Sequence, residues 1–319
     1  MDYFSSTLKE QTRPLLHSPS AEEARQVRKE INNTYPDKQR DCVRQLKDWM
    51  QTQPHLPRNY DERILPRFLN GTKYDVHRAK RKIDAYFTAR AKMPEFFAQR
   101  DPSSKETQQA WRALSVLPLA RTRRDGARVT LHILNDVDAT EHVASSIYKM
   151  IFMISDIRLV EEAEISGDVF VFDLANVSLT IMLKHAGSML KKVLSLAQGA
   201  YPQRLKEIHI INAHPFVNKG INLFRSFMKE KMRNRFVVHS SLESLHKYVP
   251  ADLLPAEYGG GPRTVENLCD QWNKALESYT LYFQQQEGVK ATLGKASHKS
   301  APAPAVQPVQ GSFRNLGLD

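Results

Sequence analysis

After about residue 110, short β-prone runs alternate with helical patterns, and this alternation limits the possible folds more than any other feature of the chain. The β-prone runs are 113–119, 129–134, 168–174, 207–212 and 236–240, with helical patterns at 140–160, 178–199 and 217–233 between them. Val169-Phe170-Val171-Phe172 and Ile208-His209-Ile210-Ile211 are short and mostly apolar, as strands covered on both faces must be. Strand–helix–strand repetition predicts a largely parallel sheet in an α/β layer domain.

The preceding part reads as a small all-helical bundle. Ser20, with Glu23 three residues on, forms a capping box for a helix starting at Ala21. From Asp37, Val43, Leu46, Trp49 and Met50 recur at helical spacing until Pro54 and Pro57 stop them. A segment at 60–69 puts Ile64, Leu65, Phe68 and Leu69 on one face, and Asn70-Gly71-Thr72 is expected to turn the chain. A helix from Asp75 carries the stripe Val76, Ala79, Ile83, Tyr86 and Phe87. A last helix, 264–286, follows Gly259-Gly260-Gly261-Pro262. The expected organisation is a flexible start (1–20), a helical domain (21–105), an α/β domain (106–288) and a disordered tail (289–319). The tail is rich in Pro, Ala, Ser and Lys, and truncation after Gly288 is expected to be harmless.

Catalysis finds little support. The glycine triplet follows no apolar strand, lacks phosphate-loop spacing and precedes Pro262, so a loop is the better reading. His209 and His214 straddle a strand end and fix no ligand geometry. Asp173 ends a β run without a nucleophile or base beside it, so a turn-capping role is favoured. Cys42 and Cys269 make neither a disulfide framework nor a zinc spacing. The expectation is a non-enzyme with no cofactor and no metal. The run 147–160 is too short and too charged to span a bilayer, and a cytoplasmic location follows. The net charge of +11 suits an anionic membrane, nucleic acid or plain solubility. Nucleic acid is the competing reading, but no aromatic RNA-binding motif or zinc module accompanies the charge.

Two features remain. In 147–155, apolar side chains point all round the helix, so it must be covered on several sides. A core and a ligand cavity explain this equally well. Between Tyr201 and Arg235, eight basic residues face only Glu207 and Glu230. Ile221, Phe224, Phe227 and Met228 form an apolar face on the same predicted helix, which suits a membrane interface or, alternatively, a solvated face.

Phe68-Leu69-Asn70-Gly71-Thr72-Lys73-Tyr74-Asp75-Val76, Val169 to Leu174, Tyr201-Pro202, Glu207 to Asn212 and Leu253-Leu254-Pro255-Ala256-Glu257-Tyr258-Gly259-Gly260 together resemble the CRAL-TRIO family, in the family's order. The resemblance implies a helical domain followed by an α/β lipid-binding domain, whose mostly parallel sheet floors a pocket under a mobile gate helix at about 212–235. It implies a tocopherol- or retinoid-like ligand held by Tyr148, Phe152, Ser155, Phe172, Val193, Leu196, Ala197, Ile208, Ile210, Phe216 and Phe224. Ser155 could bond a polar end of the ligand or its own helix backbone. By the same resemblance, Arg204, Lys206, Lys231 and Arg235 recognise a phosphoinositide headgroup, and the protein visits membranes transiently.

Overall fold

The computed structural model describes residues 15–185, 187–215, 217, 221 and 230–294. Five strands, β1 (Leu114–Thr122), β2 (Ala127–Leu134), β3 (Gly167–Asp173), β4 (Leu205–Ile211) and β5 (Phe236–Val238), form one sheet in the order β1-β2-β3-β4-β5. β1 is antiparallel to β2 and every other pair is parallel. Each strand falls on a predicted run. Helix α7 (Ala144–Glu161) crosses from β2 to β3, and α8 (Leu179–His185) with α9 (Ser188–Gly199) crosses from β3 to β4.

Alternation divides the sheet residues between two faces. Val129, Leu131, Val169 and Val171 belong to a core that also holds Leu245, Leu268 and Trp272. On the opposite face Thr130, Phe170 and Ile208 form one cross-strand row, and His132, Phe172 and Ile210 the next.

The helical part comprises α1 (Ala21–Glu30), α2 (Lys38–Thr52), α3 (Ile64–Gly71), α4 (Val76–Lys92), α5 (Pro94–Phe97) and α6 (Lys105–Ala113). The Ser20–Glu23 capping box is present, and Asp75 accepts from the Arg78 amide to cap α4. The expected turn at 70–72 is displaced. Helix α3 runs through Gly71, and the reversal falls on Lys73 and Tyr74, at φ of 58° and 59°. Gly71 serves a close approach instead: a Cβ there would lie 1.7 Å from the Pro202 carbonyl oxygen, so any side chain would push the helical part off the α/β part. The predicted 178–199 helix is two helices, broken at Gly187, which has φ 91°. The predicted 264–286 helix breaks likewise at Tyr279.

The two parts share a core. Tyr148 and Phe152 from α7, Leu196 from α9 and Tyr201 pack with Phe68, Tyr86, Phe96 and Phe97 of the helical part. Phe152 stacks on Tyr201 at 5.3 Å between centroids and tilts against Phe96 at 5.4 Å. Other residues of α7, including Ile147, Met150, Ile154 and Ile157, enter the core of the sheet. The all-round apolar character of 147–155 therefore has a structural cause: α7 is the shared wall between two cores.

The tail boundary needs correction. Val289 and Ala291 are buried, the Ala291 amide donates to the Phe87 carbonyl, and Arg90 donates to the Val289 carbonyl at 2.8 Å. Chain through Thr292, whose amide donates to the His55 carbonyl, thus belongs to the helical core, while 295–319 lie outside the described residues. Truncation after Gly288 should cost about 2–4 kcal/mol relative to truncation after Gly294, from the lost burial and hydrogen bonds. Urea melts of the two truncations measure this, and equal midpoints would refute the docking.

Candidate functional site

A third apolar cluster stands apart from both cores. Leu190 and Leu194 of α9, one turn apart, meet Ile208 and Ile210 of β4, with Val217 and Ile221 closing over them. Phe172, Leu174, Val177, Leu205 and Phe236 are partly buried around it. Val217 and Ile221 lie in the predicted gate and, spaced by four residues, suit one face of a helix. Phe172 of this cluster and Phe170, two residues before it on the same strand, are informative. They sit on the central strand, between the rows of β2 and β4, yet both stay partly exposed. Fully packed side chains at that depth would be sealed, so packing within the protein does not close over these two rings.

The structure brings together only part of the expected lining. Ile208, Ile210 and Phe172 meet in this cluster, while Tyr148, Phe152 and Leu196 lie in the core shared with the helical part, with Val193 packed against it. On α9, Leu190 and Leu194 join the sheet cluster, and Val193 and Leu196 pack with the helical part. Ala197 is partly buried. Ser155 donates to the Ile151 carbonyl at 2.9 Å, the backbone alternative of its two readings. Phe216 and Phe224 lie outside the described residues.

The basic residues divide as well. Arg204 pairs with Glu30 at 2.9 Å, and Lys206 with Asp125 at 2.8 Å and Glu30 at 3.5 Å. Arg123 bridges Asp125 and Glu207, so this end of the sheet is an alternating lattice of charges. Hydrogen bonds from Arg123 and Lys206 overcome burial and hold the Asp125 carboxyl well below its ordinary range. Arg235 precedes β5 at the same end, its carbonyl accepting from the Ile208 amide. The Lys231 side chain lies outside the described residues.

Other candidates resolve as structural. Asp173 accepts from the Ala175 amide, from Asn212 at 3.0 Å and from the Tyr258 hydroxyl at 2.7 Å, which ties β3 to its surroundings. Gly259 adopts φ 74° at the end of a 3-10 turn, and a Cβ on Gly260 would strike the Leu254 carbonyl oxygen. Among the described residues, no group of His, Cys, Asp or Glu could hold a metal ion, and no helix is long and apolar enough to cross a membrane.

Sequence reasoning overlooked two polar groups on the sheet floor, Thr130 and His132. His132 stacks on Phe172 at 4.5 Å between centroids and meets Phe170 edge-on at 4.9 Å. Thr130 Oγ1 and His132 Nδ1 are buried without a hydrogen-bond partner. Burial pushes the imidazole down to about 3, against the nearby Thr130 carbonyl, which makes no well-aligned bond to Nδ1. The signal was present in Arg128-Val129-Thr130-Leu131-His132: polar residues at every second position of a strand in a sheet predicted to be largely parallel.

Residues 119–260 match the family model described as CRAL/TRIO domain, and residues 35–107 match that described as Pinta-like, UBA domain. An alpha-tocopherol transfer protein-like protein of Homo sapiens is 32% identical over 239 residues, covering 73% of this chain and 68% of that protein. Clavesin-2 of Homo sapiens is 25% identical over 244 residues, 76% of this chain and 74% of that protein. A solved structure of Sfh5 aligns with a TM-score of 0.47 at 18% identity, over 79% of this chain and 97% of that one.

Proposed function

Since the chain belongs to the CRAL/TRIO domain family, we propose that it carries one small hydrophobic lipid, tocopherol- or retinoid-like, above the sheet floor and exchanges it at anionic membranes. The observation that carries this reading is the partly exposed pair Phe170 and Phe172 on a central strand, beside a cluster closed by Val217 and Ile221. The name of the 32% identical relative supports the ligand class. Val193, Leu196, Tyr148 and Phe152 form the outer wall in this reading, not the lining.

The energetics favour such an arrangement. Exposing a methylene to water costs about 0.8 kcal/mol, so a roughly 15-carbon chain resists leaving a bilayer by about 12 kcal/mol. A pocket that buries the chain as well as lipid does nearly cancels that barrier. Opening the segment that carries Val217 and Ile221 in water would expose apolar surface, whereas opening it against a membrane lets that surface insert. Exchange is thereby coupled to contact.

Membrane contact in this reading rests on Arg204, Lys206, Lys231 and Arg235, which bind a phosphoinositide headgroup, Arg204 and Lys206 exchanging Glu30 and Asp125 for it. Diphenylhexatriene, fluorescent when buried, tests both halves. It should bind saturably at one per chain, and vesicles containing phosphoinositide should accelerate its release. Lys231→Ala/Arg235→Ala should keep its affinity for the probe and lose roughly thirtyfold in binding to those vesicles, at about 1 kcal/mol per cation. The control is Arg78→Ala/Arg81→Ala on the exposed face of α4. Lys82 is unsuitable as a control because its ammonium is buried against the carbonyls of Gln198 and Tyr201. Absence of saturable probe binding would remove the carrier reading, and equal losses in both pairs would reduce the membrane claim to bulk charge.

A further inference from the structure

We propose that Thr130 and His132 form the polar end of the ligand site and select a lipid with a neutral oxygen-bearing head, an alcohol or a carbonyl. This rests on the carrier reading above and narrows its ligand class. Both residues are on β2 and face the same side, two positions and so roughly 6.8 Å apart. They lie in the same cross-strand rows as Phe170, Phe172, Ile208 and Ile210. Thr130 is 2% exposed and His132 6% exposed, and each leaves one polar atom without a partner. A buried polar atom left unmatched forfeits its hydration without replacement, so two on one patch of an apolar floor call for a partner from outside the chain.

The chemistry of the pair limits that partner. The threonine hydroxyl donates and accepts, while Nδ1 of a neutral imidazole does one or the other according to its tautomer. Burial keeps the imidazole uncharged at neutral pH. The formal charge that acts on it is Arg158, which is already paired with Glu162 at 2.9 Å and Asp168 at 2.7 Å. Among the described residues no cation other than Arg158 acts on the imidazole, so a phosphate or carboxylate there would be desolvated at high cost. A hydroxyl or carbonyl oxygen would complete both groups without introducing charge, while its hydrocarbon part lies across the phenylalanines.

The test uses two C20 isoprenoids of one skeleton, phytol and its hydrocarbon phytane, each displacing diphenylhexatriene from the full chain. Removing one hydrogen bond changes affinity by roughly five- to tenfold. The phytol-to-phytane affinity ratio should fall by that factor in Thr130→Val and again in His132→Phe, with phytane affinity unchanged. Both substitutions keep shape, and the second keeps the ring stacked on Phe172. In the lipid-free protein they should leave the melting temperature level or raise it, because each deletes an unmatched polar atom. An unchanged ratio in both variants would overturn the proposal while leaving the carrier reading intact. A lowered melting temperature in both would overturn it too, by revealing partners within the protein. Failure of the wild-type chain to bind the fluorescent probe would instead be failure of the carrier reading.

Discussion

Replacing Asp156 by alanine should lower the unfolding free energy by about 3–5 kcal/mol, a fall of roughly 10 °C in Tm. The Asp156 carboxylate is fully buried on α7 and accepts from Arg90 at 2.9 Å, Arg100 at 2.6 Å, Tyr86 at 3.0 Å and Tyr201 at 2.8 Å. Burial alone would raise its pKa, but Arg100 and Arg90 overcome that and hold the group ionised. The donors come from α4, from the loop after α5 and from the turn after α9, so one side chain ties the helical part to the α/β part. Arg90 extends the tie to the carbonyls of Gln286 and Val289. The loss arises because two guanidiniums are left in a dry interior without a counter-charge, Arg100 already lacking partners for Nε and Nη2. Asp156→Asn preserves shape and should lose nearly as much. Urea unfolding followed by tryptophan fluorescence gives both values. If asparagine is tolerated within 1 kcal/mol, hydrogen bonding holds the tie and the charge does not.

The second large effect is a pH dependence centred on Glu162. Its carboxylate binds Arg128 at 2.6 Å and Arg158 at 2.9 Å, and Arg158 also pairs with Asp168. Burial opposes ionisation, yet Arg128 and Arg158 bring the pKa from its ordinary 4.5 down to about 2. A depressed carboxyl stabilises the fold fully above its unfolded pKa, and that stability is lost as pH falls through the folded one. About 3 kcal/mol should therefore disappear between pH 4.5 and pH 2, roughly two thirds of it by pH 3. Glu162→Gln should be destabilised at pH 7 because Arg128 and Arg158 keep their charge. Its deficit relative to wild type should shrink through that acid window. Urea midpoints for both proteins at pH 7, 5, 4 and 3 follow the difference, and a deficit constant with pH would exclude Glu162 as its source.

Much of the architecture was legible before any coordinates. The five β runs, the Ser20 capping box, the helix start at Asp75 and the break at Gly259 depend on short-range rules of alternation, capping and backbone freedom. These operate within a few residues of one another. The same locality explains the misplaced turn: Asn70-Gly71 has the composition of a turn, but the glycine was required by Pro202, far along the chain.

The site was less legible. Helical period identifies α7 and α9 as apolar, but where both sides of a helix are covered the period does not say which side meets the sheet. Leu190 and Leu194 do, Val193 and Leu196 do not, and α7 is apolar throughout for the same reason. The excess of positive charge at 201–235 is likewise a property of the sequence, whereas the partners of Arg204 and Lys206 are not. Arg204 meets Glu30 across 174 positions, and Lys206 meets Asp125 across 81.

What the sequence by itself determined is therefore the kind and order of the elements, together with the family they spell. The three-dimensional packing alone decided which apolar residues seal a core and which stay partly exposed, which carboxylates Arg204 and Lys206 meet, and that Thr130 and His132 share a sheet face with two partly exposed phenylalanines. Element type follows from interactions between near neighbours. Partnership across the fold follows from the direction and register in which the strands are laid down, and no local pattern records that.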